Sequence, residues 1–143
     1  MTKRLPIALM CLAGLIAIDL FQSPPTEGQE PLVLKVAAAA ICRDVVDHEP
    51  INVGNSFPSS AGKLWCFTRV VGALSPTEIT HVWSFGEVER ARVNLPVDAP
   101  RWRTYSSKLI QPHETGDWRV DVLDQMGETL MTLRFKVTAP PSS

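Results

Sequence analysis

Residues 117–124 alternate in character. Trp118, Val120 and Val122 are apolar, and Asp117, Arg119 and Asp121 between them are charged. A period of two marks a strand with one buried face. Gln125-Met126-Gly127 interrupts the pattern and Glu128 to Val137 resumes it, so the chain closes on a β-hairpin. Upstream, Lys63–Val71 (Lys-Leu-Trp-Cys-Phe-Thr-Arg-Val-Val) is dense in aromatic and β-branched residues, which favour strands. Glu78–Phe85 places Ile79, His81, Trp83 and Phe85 on one face and Thr80, Val82 and Ser84 on the other. Val88–Leu95 and Arg101–Ile110 add two further strands, parted by a break at Pro96 to Pro100.

The segment Val33–Arg43 is ambiguous. Ala37 to Ala40 favour a helix, whereas Val33, Val36 and Ile41, with Val45 and Val46 beyond, favour a strand. The neighbouring strands tip the reading to an edge-forming strand. Asp47–Gly62 holds Pro50, Gly54, Asn55, Pro58, Ser59 and Ser60. It is too long for a hairpin loop and is expected to cross between sheets. About seven strands at regular spacing predict an all-β fold, an immunoglobulin-like antiparallel β-sandwich.

The N-terminus has a different pattern. Lys3 and Arg4 precede an apolar run from Ile7 to Ile18, which Asp19 ends. That run is short for a bilayer span and reads as a secretory signal; an uncleaved anchor helix reaching Phe21 is the alternative. Cys11 sits inside the run after Met10 and is a poor lipidation site. The expected organisation is signal or anchor at 1–21, a Pro-rich linker at 22–31, the sandwich at 32–138 and a disordered tail at 139–143. Such a chain is expected to be exported, to the periplasm or the outer face of the cytoplasmic membrane, and to meet membrane only through its N-terminus.

With 143 residues there is room for one domain with a real core. Beyond residue 20 the balance is 12 basic to 14 acidic side chains. No basic field is present to hold nucleic acid. Cys42 and Cys66 remain if the signal is removed. In an oxidising compartment they either form a disulfide, closing a loop of about 25 residues and contributing roughly 3–4 kcal/mol, or stay as two buried thiols.

Several segments in order resemble a bacterial family: Ile41-Cys42-Arg43-Asp44-Val45, Glu49-Pro50, Phe57-Pro58, Leu64-Trp65-Cys66-Phe67-Thr68, His81-Val82-Trp83, Trp102-Arg103-Thr104-Tyr105-Ser106-Ser107-Lys108 and Gly116-Asp117-Trp118-Arg119-Val120. Over residues 36 to 137 the chain is similar to the domain-of-unknown-function 2914 family. The resemblance implies a β-rich domain attached to bacterial membrane or exported proteins, and no established activity.

Candidate chemistry is sparse. His48, His81 and His113 lack ligand-like spacing to one another, and Asp121, Asp124 and Glu128 lack the alternation of a calcium loop, so neither metal nor other cofactor is expected. Ser106, His81 and Asp117 make a triad only on paper, without a Gly-x-Ser-x-Gly turn. The reading is therefore non-enzymatic. His81, Trp83, Trp102, Arg103, Tyr105 and Lys108 form the most suggestive group, since aromatic faces stack on sugar rings and cationic side chains hold acidic groups. Against it, Trp65, Trp83 and Trp118 alternate with apolar residues as core positions do, and His81 is then a satisfied half-buried histidine that orients either a neighbouring backbone group or the Ser106 hydroxyl. Arg101, Arg103 and Arg119 are expected to form surface ion pairs with Asp117 and Asp121. The expected function is an envelope binding module for a glycan or an envelope protein, the alternative being a structural subunit of a larger envelope assembly.

Overall fold

The computed structural model describes residues 33–140. The signal or anchor helix, the linker at 22–31 and residues 141–143 of the tail lie outside the described residues. Nine strands follow in order: β1 (Lys35–Val46), β2 (Glu49–Gly54), β3 (Ser56–Pro58), β4 (Lys63–Val71), β5 (Thr77–Phe85), β6 (Val88–Val97), β7 (Arg101–Leu109), β8 (Gly116–Leu123) and β9 (Thr129–Thr138). A four-stranded sheet, β2-β1-β4-β7, faces a five-stranded sheet, β3-β9-β8-β5-β6. The fold is an all-β sandwich. Its β1-β4-β7 and β5-β8-β9 groups follow the A-B-E and C-F-G order of immunoglobulin domains.

Four details differ from the sequence reading. First, β1 is not an edge strand but lies between β2 and β4. Second, the stretch Asp47–Gly62 is no plain loop. It opens with a hairpin turn at Asp47-His48, whose φ values of 50° and 62° are both left-handed. A two-residue turn joining twisted strands requires that geometry. Its usual signature, Asn-Gly, is absent here, so the turn is hidden. The stretch does cross between sheets, from β2 to β3. Third, β3 runs parallel to β9, with Phe57 opposite Val137, so one pair departs from the antiparallel pattern. The Lys136 N–H donates to the Asn55 carbonyl at 2.8 Å where β3 docks. Fourth, β6 continues through Pro96 to a buried Val97. Proline is tolerated there because β6 is an edge strand.

The core lies between the sheets in two apolar clusters. One gathers Leu64, Cys66, Trp83, Trp118, Val120 and Phe135. The other gathers Val70, Ile79, Val97 and Val122. On three strands the inward row carries a polar stretch between the clusters: Thr68 on β4, His81 on β5, and Thr104 and Ser106 on β7, all buried; on β8 Val120 passes directly to Val122. Trp83 and Trp118 are core residues, as their alternation indicated. Trp65 is not. It pairs with Cys42 and Ser107 on the outer face and is only half-buried. Phe67, on the same outer face, is also buried, so β4 is apolar on both sides and alternation cannot assign its phase.

The register also decides the cysteines. Ile41 pairs with Cys66 on the inner face, and Cys42 pairs with Trp65 on the outer face. Their side chains leave opposite sides of the sheet, and both thiols are free and buried. Two Cβ vectors pointing apart cannot be bridged without moving backbone. Burial pushes both thiols up, so neither is a ready thiolate. The intact mass of the oxidised protein is expected to equal the reduced mass, and iodoacetamide is expected to label both residues only after denaturation. A mass lower by two protons would contradict this register.

Candidate functional site

The six residues singled out from the sequence fall into three places. His81 and Trp83 lie in the closed interior, each with no exposed surface. Lys108 sits at the far end of β7, near enough to Glu114 to help hold its charge, and its Nζ donates to the Leu109 carbonyl at 2.7 Å. Only Arg103 and Tyr105 share the open outer face; Trp102 leaves the opposite face of β7 and packs against the second core cluster, reaching the outer side only at the groove's lining.

The interior group is a hydrogen-bonded chain. The Trp83 Nε1–H donates to Ser106 Oγ at 3.0 Å. Ser106 Oγ lies 2.7 Å from His81 Nδ1, and Thr68 Oγ1 lies 3.2 Å from His81 Nε2. The Thr68 hydroxyl donates to the Thr104 carbonyl at 3.4 Å. Its oxygen is then an acceptor for His81 Nε2–H, which leaves Nδ1 to accept from the Ser106 hydroxyl. Every donor has an acceptor when the imidazole is neutral. Burial enforces that state, holding the imidazole down to about 4. His81 and Ser106 therefore meet as the paper triad required, but Asp117 does not join them: it faces solvent and pairs with Lys136 at 3.7 Å. The third partner is Thr68, and a substrate reaches none of the three without parting the sheets.

The open site lies on the outer face of the four-stranded sheet. On β4 that face carries Lys63, Trp65, Phe67, Arg69 and Val71; their β7 partners are Leu109, Ser107, Tyr105, Arg103 and Arg101. Trp65 and Tyr105 meet edge to face at 5.6 Å, and Lys63 Nζ sits 5.5 Å from the Trp65 ring. The β1–β2 hairpin folds back over this face. Its turn residue His48 meets Tyr105 edge to face at 6.4 Å, and Glu49 accepts a hydrogen bond from Arg103 Nη1 at 2.7 Å. Across β1, β4 and β7 on this face lies a groove of about 470 Å³ lined by Ala37, Arg69, Val71, Arg101, Trp102 and Arg103. An adjoining hollow of about 340 Å³ adds Asp47 and His48. The β-bulge between Val36 and Ala38 puts Ala37 at the groove wall. Among the described residues no cluster of His, Cys, Asp and Glu is placed to hold a metal ion.

The expected pairing of Arg101, Arg103 and Arg119 with Asp117 and Asp121 is corrected in part. Arg119 does pair with Asp121, at 3.0 Å, but on β8 of the opposite sheet. Arg103 pairs instead with Glu49, and among the described residues Arg101 meets no acid. The residues that the sequence reading missed are Arg69, His48 and Glu49. Arg69 carried a signal, alternating with Lys63, Trp65 and Phe67. His48 and Glu49 carried none, since their place depends on the hidden turn.

Residues 76–137, which span β5 to β8 and all but the last residue of β9, match the model of a family described as Protein of unknown function (DUF2914). The His81-Val82-Trp83, Trp102–Lys108 and Gly116–Val120 elements fall within the match. The elements at 41–45, 49–50, 57–58 and 64–68 fall outside it, so the match is narrower than the resemblance over 36 to 137. No curated protein matches the chain.

Proposed function

We propose that this chain, whose residues 76–137 match the DUF2914 family of proteins of unknown function, is a non-enzymatic binding module of the bacterial envelope. It is exported by its N-terminal segment and recognises an acidic glycan, or an acidic patch on an envelope protein. One observation carries the reading. The outer face of the four-stranded sheet carries half-open aromatic rings, Trp65 and Tyr105, with Lys63, and further along the same face a sugar-sized groove lined by Arg69, Arg101 and Arg103. Aromatic faces supply stacking and guanidinium groups supply orientation, which together suit a charged saccharide. The polar interior around His81 supplies rigidity, not chemistry.

The test is a glycan array probed with the full chain and with its Arg103→Ala and Trp102→Ala variants. Wild type is expected to retain acidic glycans, weakening as salt rises, and Arg103→Ala to lose about tenfold or more in affinity. Absent binding, or binding that both variants leave unchanged, removes the carbohydrate reading.

A structural role in a larger assembly is the second reading. It has the exposed Ile51 and Val53 of edge strand β2 in its favour. Against it, Pro50 removes a backbone donor from that edge and Asn52, at a φ of 57°, twists it. Strand addition there would appear as a stable oligomer in sedimentation, abolished by Val53→Lys.

A further inference from the structure

We infer that Arg69, Arg101 and Arg103 form a single site for a doubly charged oxyanion, a phosphate monoester, and that Glu49 is its internal competitor. This deepens the binding reading above and rests on it for the nature of the natural ligand.

Cross-strand register carries the inference. Arg69 and Arg103 are direct partners on adjacent strands, and Arg101 lies one step further along the same face, opposite Val71. Like charges placed directly opposite are unfavourable, and a sheet accumulates them only at a cost. Glu49 neutralises Arg103. Among the described residues neither Arg69 nor Arg101 meets an acid, so two positive charges remain facing the groove. A dianion balances them. Guanidinium groups suit it, because their planar forks bind tetrahedral oxyanions through paired N–H donors. Asp47 lines only the adjoining hollow, beside the hairpin turn, and not the groove itself. The floor and wall residues Ala37 and Val71 leave the space clear for the group that bears the anion.

Glu49 supplies the second half. Its carboxylate sits on Arg103 at 2.7 Å, yet both side chains are solvent-exposed, so the pair is weak and exchangeable. Glu49 belongs to β2, whose hairpin reaches the site only by folding back. An incoming oxyanion takes over Arg103, and the hairpin loses its ion pair to β7, keeping the His48–Tyr105 contact.

The experiment uses the full chain and sodium phosphate or sodium sulfate as probes, at constant ionic strength, with chloride and acetate as references. Binding is read by calorimetry and by the amide resonances of β4 and β7. Wild type is expected to bind phosphate and sulfate more tightly than acetate. Arg69→Gln and Arg101→Gln are each expected to weaken that binding about tenfold. Arg69→Lys, which keeps charge but loses the fork, falls between. Glu49→Gln is expected to tighten it about threefold to tenfold, and Arg119→Gln, on the other sheet, to leave it unchanged. All these positions are at the surface, and an unchanged thermal transition in each variant confirms the fold. Phosphate binding no tighter than acetate, or a loss in Arg119→Gln equal to that in Arg69→Gln, overturns the site. Tightening absent in Glu49→Gln overturns the competitor. A phosphorylated glycan then separates the two readings. If free phosphate binds through Arg69 but the glycan adds nothing, the anion site stands and the glycan reading falls. If a glycan binds equally well to wild type and to Arg69→Gln, the anion site falls and the recognition reading stands.

Discussion

Replacing Trp118 by Ala is expected to lower the unfolding free energy by about 3–5 kcal/mol, the largest loss from any single truncation proposed for this domain. Trp118 is almost wholly buried and lies between two other rings: Phe135, nearly parallel at 6.1 Å, and Phe85 at 5.1 Å. Removing it opens a cavity that the rigid β8–β9 ladder cannot close. It also removes a donor. The indole Nε1–H caps the Glu114 carbonyl at 2.9 Å, and Glu114 anchors the loop from β7 to β8. Burial opposes the charge on Glu114, but the Gln111 N–H and the Arg90 guanidinium together hold its carboxyl below the usual carboxylate range. Arg90 reaches it from β6 at 3.0 Å and lies over the Phe85 ring at 5.9 Å. One indole therefore ties the core to the loop and, through Glu114, to the edge strand. Urea unfolding of wild type and Trp118→Ala measures the effect. A loss under about 1.5 kcal/mol would mean the site collapses and the three-ring stack is not the keystone. Small domains have only about 5–15 kcal/mol to lose, so the variant is expected to be partly unfolded near 37 °C.

The sandwich was legible because period-two alternation survives wherever one strand face is wet. On β8 it identified Trp118, Val120 and Val122 as inward, and all three are buried. The Ser106 hydroxyl, one of two partners the sequence left open for His81, is the one it meets, at 2.7 Å. The same rule failed on β4, where Leu64 and Phe67 are buried on opposite faces and Trp65 was misplaced. It failed again at Asp47-His48, since a left-handed pair without Asn-Gly leaves no mark in composition. That single turn accounts for most of what the candidate site hid. Sequence alone named Trp102, Arg103 and Tyr105, but Glu49 and His48 reach them only because the hairpin folds back, a tertiary event. The cysteines are the sharpest case: their separation in sequence left the bridge open, and a register that puts them on opposite faces closes it.

The second large effect concerns pH. Burial holds the folded His81 imidazole to about 4, against 6.5 for an unconstrained histidine. Between those values the unfolded chain binds a proton that the native state refuses. Stability is therefore full above pH 6.5, falls as pH drops through that window, and has lost about 3 kcal/mol once pH passes below the folded value. The network explains why the proton is refused. Nδ1 is already an acceptor for the Ser106 hydroxyl, and no carboxylate among its hydrogen-bond partners Thr68 and Ser106 offsets a charge. Glu114 adds a loss of its own, but only as pH falls below the usual carboxylate range, because its carboxyl is lowered. The span from pH 6.5 to 4.5 thus isolates the histidine. Urea unfolding across that span is expected to show a falling midpoint for wild type and a flat one for His81→Gln, which keeps His48 and His113 in place. Should the variant fail to fold, the His81 ring resonances of wild type serve instead, and are expected to titrate near 4. A midpoint near 6.5, or a slope that His81→Gln retains in full, would mean water reaches the polar band between the sheets and the interior is not dry.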